Sequence, residues 1–382
     1  MKLNENTSAI LKNFSEINTN ILIKPGSELN TISTMRNIFA KATITESFDS
    51  EFGIYDLNEF LSVVSSLDKP ELTLNDKHMK RRNFIQKSTA ATAFLTFGGI
   101  SMQSFSTAST KHITILHTND VHSHIEPFSN THYKYPNMGG VARRATLVEA
   151  IRHENPNTLL LDAGDIFQGT PYFNFYGGEL EFKLMSMLKY DAATIGNHDF
   201  DNGIDGLYAQ LPHAKFDFLS ANYNFKNTVL DTQIKPYKIF EKDDIKIGVF
   251  GLGIELEGLV DTRNYKETIY LNPIEIAQDM SRILKEDENC DLVICLSHLG
   301  YHYKNETNKI SDLVLASKTN NIDLIIGGHT HTFLPKPTIT KNSDGENVLV
   351  NQVGCYGINV GRVDFYFDND KNKSSKGKSI IV

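Results

Sequence analysis

The stretch TLLLDAGDIFQG, residues 158–169, decides the fold class, because a continuous apolar run ends there in an acidic, glycine-rich turn. A short apolar run without alternation predicts a strand that is covered on both faces. Six further runs of this form follow residue 112. They are ITILHT (113–118), AATIGNH (192–198), FDFLSAN (216–222), IKIGVFGLG (245–253), DLVICLSH (291–298) and IDLIIGGH (322–329).

Amphipathic stretches between these runs predict helices at residues 141–153, 180–189, 204–210, 273–286 and 310–317. Strands that alternate with helices indicate α/β architecture. Two other segments, YKIFEKDDIKIGVF (237–250) and TITKNSDGENVLVNQVG (338–354), carry DD and DG turn signals and predict hairpins. We expect the Asn-, Lys- and Ser-rich end, residues 368–382, to be a loose polar tail.

Charge and cysteine content argue against two classes of protein. The formal net charge of -8 opposes general nucleic-acid binding, which needs a basic surface. The three cysteines, Cys290, Cys295 and Cys355, are too few, and odd in number, for a disulfide framework. Cys290 and Cys295 flank or lie in the apolar run at residues 291–298, so we interpret these two as small buried apolar side chains. An acidic enzyme that acts on an anionic substrate must neutralise it locally, and bound metal could do that.

Residues 1–78 differ from the rest of the chain and predict a small α+β fragment. Its segments ILKNF (10–14), NILIKPG (20–26) and IYDLNEFL (54–61) resemble the amino-terminal part of bacteriophage DNA-polymerase sliding clamps. A clamp ring needs complete domains with paired strand edges, and this fragment stops before one could close. We interpret residues 1–78 as unrelated to the remainder and joined to it by a fusion of reading frames, such as a sequence-assembly artefact.

The segment MKRRNFIQKSTAATAFLTFGGISMQSFSTAST, residues 79–110, has the composition of an export signal inside the chain. A basic head precedes an uncharged stretch, and Ser106 with Ala108 offers a small-x-small cleavage pattern. Arg81 and Arg82, followed by Asn-Phe-Ile, resemble a twin-arginine signal. The apolar stretch is too short and polar to span a membrane. We expect a periplasmic or extracellular location if translation starts at Met79; the alternative is a basic turn before an ordinary core helix.

Side chains that can bind metal follow five of the predicted strands. The endings are Asp120-Val121-His122, Gly164-Asp165, Gly196-Asn197-His198-Asp199, Ser297-His298 and Gly327-Gly328-His329-Thr330-His331. One such ending would be an ordinary cap or turn, but five indicate a site at the carboxyl ends of the strands. Imidazole, carboxylate and amide groups suit Zn, Mn, Fe or Co. In an extended segment, D-x-H and H-x-H would each direct two ligands to one side.

Residues 111–367 resemble the calcineurin-like metallophosphoesterases of the 5'-nucleotidase family. The resemblance lies in an ordered set of five motifs: D-x-H, G-D-x-x-Q-G, G-N-H-D-F-D, S-H-L-G and G-G-H-T-H. The resemblance implies a four-layer α/β/β/α sandwich with two divalent metal ions at the strand ends. It implies Asp120, His122, Asp165 and His331 as ligands of one ion, and Asp165, Asn197, His298 and His329 as ligands of the other. Asp165 would bridge them.

His198 is expected to take part in catalysis rather than to bind metal. Hydrolysis of a phosphate ester needs an activated water, neutralised phosphoryl oxygens and help for the departing alkoxide. A metal pair can supply the first two, and His198 can supply the third. The resemblance implies that Asp201 orients this imidazole. Arg143 and Arg144 head the helix predicted at residues 141–153, and we interpret them as solvent-facing rather than as a phosphate clamp.

The predicted function is metal-dependent hydrolysis of nucleotide phosphomonoesters outside the cytoplasm. Many family members carry a second, carboxy-terminal domain that binds the nucleobase, whereas this chain ends at Val382. We therefore expect either lower selectivity or a separate polypeptide that supplies this domain. The alternatives are a broader phosphoesterase for cyclic nucleotides, sugar phosphates or other esters, a metal-binding protein without turnover, and a DNA sliding-clamp-related binding protein.

Overall fold

The structure of the protein, a computed structural model, describes residues 4–15, 17–18, 21–32, 39–49, 51–54, 57, 61, 110–306 and 309–382. The chain divides into two compact units, Met1–Thr107 and Ala108–Val382. Apart from Thr110, the predicted export signal lies outside the described residues. None of the described helices is both long and apolar enough to cross a membrane.

The described part of the first unit includes α1 (Glu5–Ser15), β1 (Ile21–Ile23), β2 (Gly26–Ile32), β3 (Phe39–Phe48) and β4 (Phe52–Ile54). β2 pairs with β3 and β1 with β4, both antiparallel. Apolar side chains of the helix and the strands, including Leu11, Leu29 and Phe48, form its core. This unit is a small α+β segment with its own core, as expected.

The second unit contains the following strands: β5 (Lys111–Thr118), β6 (Thr158–Asp162), β7 (Ala192–Ala193), β8 (Asp217–Phe218), β9 (Tyr223–Asn224), β10 (Tyr237–Lys242), β11 (Ile245–Leu252), β12 (Ile269–Tyr270), β13 (Leu292–Ser297), β14 (Leu324–Gly327), β15 (Thr338–Lys341), β16 (Asn347–Asn351), β17 (Asn359–Phe367) and β18 (Lys373–Ile381). Two six-stranded sheets have the orders β18-β17-β5-β6-β7-β8 and β10-β11-β13-β14-β16-β15. Neighbours from β5 to β8 and from β11 to β16 within these orders run parallel.

Helices cover the outer faces of both sheets. They are α2 (Val141–Glu154), α3 (Pro171–Tyr176), α4 (Glu179–Met187), α5 (Gly203–Gln210), α6 (Thr262–Tyr265), α7 (Pro273–Arg282) and α8 (Asp312–Lys318). Side chains of α2, α4 and α5 pack on the first sheet, and those of α7 and α8 pack on the second. Inward residues such as Ile115 of β5 and Ile247 of β11 meet between the sheets. The predicted four-layer α/β/β/α sandwich is confirmed.

Turn and capping residues explain where several elements begin. Asn272 accepts the Ile274 N–H at 3.0 Å and Pro273 occupies the first helical position, so α7 starts there. Both predicted hairpins form, β10–β11 and β15–β16. In the first, Asp243 and Asp244 both adopt positive φ, as a two-residue hairpin turn requires.

The polar end of the chain differs from the expected loose tail. Lys373–Ile381 forms the edge strand β18, which pairs antiparallel with β17 along its whole length. Most of its side chains are exposed, although Ile380 packs against the core of the first sheet, so backbone hydrogen bonds to β17 hold most of the strand in place. The expectation of a tail from residue 368 was wrong for this strand.

Asp364 on β17 forms a hydrogen-bond network between adjacent strands. It accepts hydrogen bonds from Thr114 Oγ1 at 2.7 Å, from Arg362 Nε at 2.9 Å and from His112 Nε2 at 2.9 Å. Burial alone would raise the pKa of Asp364, but these donors lower it below its ordinary value because they favour the carboxylate. The network therefore stabilises the ionised form.

Candidate metal centre

The predicted ligands lie in five loops that follow β5, β6, β7, β13 and β14, where the parallel strands of both sheets end. Two groups of side chains have ligand atoms that all lie within 4.8 Å of one another. One group is Asp120, His122 and His331, and the other is Asp165, His298 and His329. Three N or O ligands per group match the smallest protein set that holds a catalytic divalent ion.

Asp165 lies between the two groups. Its Oδ2 is 3.1 Å from His298 Nε2 in one group and 3.8 Å from His122 Nε2 in the other. Asn197 adds an oxygen to the second group, because its Oδ1 lies 2.8 Å from His329 Nδ1. The structure thus brings all seven predicted ligands together, with Asp165 between the two groups. Their ligation of metal stays a prediction.

Carbonyl groups orient two of the imidazoles. The Nδ1 atom of His298 lies 2.6 Å from the Ala163 carbonyl, and that of His122 lies 3.2 Å from the Phe167 carbonyl. If each Nδ1 donates its proton, each Nε2 presents a lone pair to the cluster. His298 Nε2 is buried, and its 3.1 Å contact with Asp165 Oδ2 does not have hydrogen-bond geometry, so among the described residues this nitrogen has no hydrogen-bond partner. A metal ion between the two atoms would satisfy both. The donor set, nitrogen and oxygen without thiolate, fits the divalent ions expected from the sequence.

The electrostatics of the cluster favour an ionised Asp165. Burial alone would raise the pKa of this carboxyl, but the imidazoles of His298, His198 and His122 hold it well below its ordinary value. The carboxylate is therefore ionised before a cation binds, but the charges that lower its pKa belong to protonated imidazoles, and His298 and His122 must release those protons to become metal ligands.

The backbone of the ligand loops corrects one expectation. Asp120, His122, Asp165, His329 and His331 all have φ between 49° and 69°. D-x-H and H-x-H are therefore left-handed turns, not extended segments. Sparsely populated backbone conformations cost about 1–3 kcal/mol each, so the surrounding structure must hold these turns in place.

Glycines at the site allow the loops to pack closely. Gly164 has φ +88°, and a Cβ there would lie 2.6 Å from Gly196 N. A Cβ on Gly196 would lie 2.5 Å from Asp165 N. The backbone of the loop after β7 thus rests directly on that of the loop after β6, and any side chain would move the shared carboxylate.

Two residues that support the ligands have no role assigned from sequence. Asp199 is buried and accepts backbone N–H groups from Asp165, Ile166, Phe167 and Gly196 at 2.8 to 3.1 Å. Asn119 donates to Asp120 Oδ2 at 2.6 Å. Both stand next to predicted functional residues in the D-x-H and G-N-H-D-F-D motifs, which is the only sequence signal for them.

His198 and Asp201 are also adjacent to the cluster. His198 Nδ1 lies 2.9 Å from Asp201 Oδ2, and the His198 backbone N–H donates to Asp165 Oδ1 at 2.8 Å. Its side chain is 32% exposed. Burial alone would lower the pKa of His198, but the hydrogen bond to Asp201 and the charges of Asp165 and Asp201 raise it to about 9. The bond at Nδ1 leaves Nε2 as the nitrogen that can donate to a substrate.

A group of partly exposed rings extends from the cluster, and we call it the aromatic surface: Phe128, His132, Tyr133, Tyr135, Phe333 and Tyr356. The Tyr356 ring centroid lies 6.1 Å from that of His122 and 5.9 Å from that of His331. Contacts of Tyr356 with Phe128 and Tyr135, and of Tyr135 with Phe333, continue outward. Tyr133 is 92% exposed. This surface places partly exposed aromatic rings beside the candidate metal centre.

Other residues singled out from sequence have mixed outcomes. All three cysteines are free and buried, which confirms the interpretation of Cys290 and Cys295. Arg143 is exposed and donates to Asn137, as expected for a solvent-facing side chain. Arg144 is buried, so the interpretation of this arginine as solvent-facing was wrong.

Two family models match the chain. The model described as calcineurin-like phosphoesterase matches residues 113–333. The model described as DNA polymerase processivity factor matches residues 3–93, which includes most of the clamp-like segment and overlaps the predicted export signal.

Individual proteins give a consistent result. The snake venom 5'-nucleotidase of Crotalus adamanteus is 36% identical over 292 residues, which cover 71% of this chain and 48% of that protein. The 5'-nucleotidase of Homo sapiens is 36% identical over 302 residues, which cover 71% and 49%. The crystal structure of a 5'-nucleotidase precursor from Thermus thermophilus has a TM-score of 0.65 and 33% identity, covering 71% of this chain and 55% of that one. The chain thus spans about half the length of the curated relatives it matches.

Proposed function

Because this chain belongs to the calcineurin-like phosphoesterase family, we propose that it hydrolyses phosphate monoesters of nucleotides with two divalent metal ions. The observation that carries the proposal is the position of Asp165, between two groups of ligands and beside the His198–Asp201 pair. A shared carboxylate holds two ions near each other, which is the arrangement of two-metal phosphate hydrolysis.

Each ion would have four protein ligands. Asp120, His122, Asp165 and His331 would hold one, and Asp165, Asn197, His298 and His329 would hold the other. When bound, the metal pair lowers the pKa of a water molecule and neutralises the phosphoryl oxygens. The donor set suits Zn, Mn, Fe or Co and does not select among them.

His198 assists the departure of the alcohol in this proposal. Its raised pKa keeps the imidazole protonated near neutral pH, so Nε2 can donate a proton to the leaving oxygen. Asp201 holds the ring by its Nδ1 and stabilises the positive charge. The backbone N–H of His198 fixes Asp165 Oδ1 at the same time, which couples the proton donor to the shared carboxylate.

The aromatic surface supports a substrate with a planar leaving group, such as a nucleoside. Its rings begin about 6 Å from the rings of the candidate ligands His122 and His331 and continue outward to the exposed Tyr133. Nucleobases stack on aromatic side chains with about 1–3 kcal/mol per base. Two relatives are described as 5'-nucleotidases, which agrees with this choice of substrate.

A substrate panel tests the proposal. The full chain, reconstituted with Mn²⁺ or Zn²⁺, should release phosphate from AMP with a higher kcat/KM than from β-glycerol phosphate or a sugar phosphate. Tyr356→Leu and Phe333→Leu should lower kcat/KM for AMP about tenfold, within the range for one stacking contact, and leave β-glycerol phosphate nearly unchanged. Tyr208→Leu, an exposed tyrosine on α5, is the control.

Equal rates with all monoesters, or faster rates with cyclic nucleotides, would favour the broader phosphoesterase instead. Absence of phosphate release from every substrate, with both metals bound, would refute hydrolysis and leave a metal-binding protein. We also propose that a chain starting at Met79 is exported from the cytoplasm, on the basis of the basic head and the uncharged stretch of residues 79–110.

A further inference from the structure

Arg144 is a buried cation that the proposed mechanism does not use. It lies in the first turn of α2 and is 3% exposed. Neither its Nε nor its Nη1 has a hydrogen-bond partner among the described residues. A buried guanidinium with unused N–H groups is unfavourable unless something accepts them. Nη1 lies against the backbone at Gly357, where a Cβ would collide with it.

Glu181 of α4 is a buried carboxyl group in which one oxygen lacks a hydrogen-bond donor among the described residues. It is 3% exposed, and its Oε1 accepts a hydrogen bond from Ser123 Oγ at 2.5 Å. Its Oε2 has no hydrogen-bond partner in the described part of the chain. The unused donors of Arg144 and the unused acceptor of Glu181 therefore do not bond to each other.

Arg144 and Glu181 line the same small, partly open chamber, which also borders Ser123, Asp162 and Tyr190 and whose remaining lining is apolar. The centre of a water molecule can occupy about 20 Å³ of it. One water needs about 10–15 Å³ by this measure and two to four polar partners. The space is too small for phosphate or an organic ligand, and a metal cation would be repelled by the guanidinium. Water both accepts and donates, as this lining requires.

We propose that the chamber is a binding site for an ordered water molecule that accepts hydrogen bonds from Arg144 and donates one to Glu181 Oε2. This water-bridged pair acts as a positioning device for the turn at residues 120–123. The positioning role rests on the metal centre proposed above, because this turn carries two of its ligands.

The route from the water to the metal ligands passes through Ser123. Glu181 fixes the Ser123 side chain, Thr170 Oγ1 donates to the Ser123 carbonyl at 2.8 Å, and the Ser123 N–H donates to the Ile166 carbonyl at 2.9 Å. Ser123 has φ 58°, which continues the left-handed conformation of His122. Since this backbone conformation is intrinsically unfavourable, it depends on such contacts, and loss of the bridge should move His122.

A crystal structure of the full chain at a resolution that shows ordered water tests the site itself. The expected result is a density peak within hydrogen-bond distance of both the Arg144 guanidinium and Glu181 Oε2. A direct ion pair between the two side chains, or a chamber without density, would overturn the proposal. This result does not depend on bound metal.

Mn²⁺ titration of the full-length variants tests the positioning role. Arg144→Met and Glu181→Leu should weaken Mn²⁺ binding about tenfold, at the low end of the range for residues that support metal ligands. Glu181→Gln, which keeps two polar atoms, should restore wild-type affinity, and Arg143→Met is the matched control on the exposed neighbour.

If folded Arg144→Met binds Mn²⁺ as tightly as Arg143→Met, the positioning role is wrong. If Arg144→Met does not fold, the comparison of Glu181→Leu with Glu181→Gln decides, and equal affinities would refute the role. A wild-type chain that binds no Mn²⁺ would refute the metal centre, whereas the water site is judged from the density alone.

Discussion

Replacement of His198 by asparagine removes the proposed proton donor and leaves the rest of the site intact. The backbone N–H of residue 198, which donates to Asp165 Oδ1 at 2.8 Å, is present in both proteins. The side chain of His198 belongs to neither group of candidate ligands. We therefore expect His198→Asn to keep both metal ions and to lose turnover.

The size of the loss follows from the role of the side chain. The hydrogen bond to Asp201 and the charges of Asp165 and Asp201 outweigh burial and raise the pKa of His198 to about 9, so the imidazole is protonated at neutral pH. An asparagine amide can donate a hydrogen bond but is too weak an acid to transfer a proton. General acid catalysis contributes a factor of about 10² to 10⁴, so kcat should fall by that factor. At about 1.36 kcal/mol per tenfold change, the barrier rises by about 2.7–5.4 kcal/mol.

The assay is steady-state phosphate release from AMP and from p-nitrophenyl phosphate, with metal content measured on the same samples. KM for AMP should change little, because the interaction develops in the transition state. The loss should be smaller for p-nitrophenyl phosphate, whose leaving oxygen needs little protonation. His302→Asn, at an exposed loop histidine, is the control. Loss of metal from His198→Asn, or an equal loss of rate with both substrates, would refute the role of His198.

Three further predictions concern the metal, stability and export. Asp165→Asn should lose more bound metal and more activity than a variant with asparagine at any single histidine ligand. Metal analysis and phosphate release measure these losses. If Asp165→Asn keeps two ions and near-normal turnover, Asp165 is not shared by the two metal sites. Asp364→Asn should lower the free energy of unfolding at pH 7 by about 1.5–3 kcal/mol, the scale of hydrogen bonds to a charged group. Because the folded-state pKa of Asp364 is lowered, the stabilisation by its carboxylate is present above the unfolded-state pKa of about 3.9 and is lost as the pH falls through the folded-state pKa. In denaturant titrations, the difference in unfolding free energy between wild type and Asp364→Asn should therefore become smaller below about pH 4. A difference that stays constant with pH would contradict this prediction. A chain that starts at Met79 should be exported by the twin-arginine route, whereas the full chain should not. The double substitution Arg81→Lys and Arg82→Lys should block export of the shorter chain. Equal processing of both chains would contradict the fusion interpretation.

The layers of the fold could be predicted because a strand that is buried on both faces consists mainly of apolar residues. TLLLD, residues 158–162, has three consecutive leucines between its polar end residues, and it forms a fully buried strand. The polar end of the chain lacks this apolar composition. Lys373–Ile381 is an edge strand held by backbone pairing to β17, and pairing of this kind does not require an apolar pattern.

The identity of the site residues could also be predicted, but their conformation could not. Asp and His residues at several strand ends indicate a metal site because their side chains are common metal ligands. The left-handed φ of Asp120 and His331, by contrast, depends on contacts with distant loops. Arg144 shows the same limit in a helix. Its sequence position beside Arg143 suggests solvent, and only the packing of α2 against α4 and the loop at Gly357 makes it buried.

The central claim is that two metal ions, sharing Asp165, hydrolyse a phosphate ester. The most direct measurement is a titration of the chelator-treated full chain with Mn²⁺, in which bound metal and phosphate release from AMP are followed together. Two ions per chain should bind, and turnover should rise only as the second site fills. Full turnover with one ion per chain, or phosphate release from metal-free protein, would contradict the account.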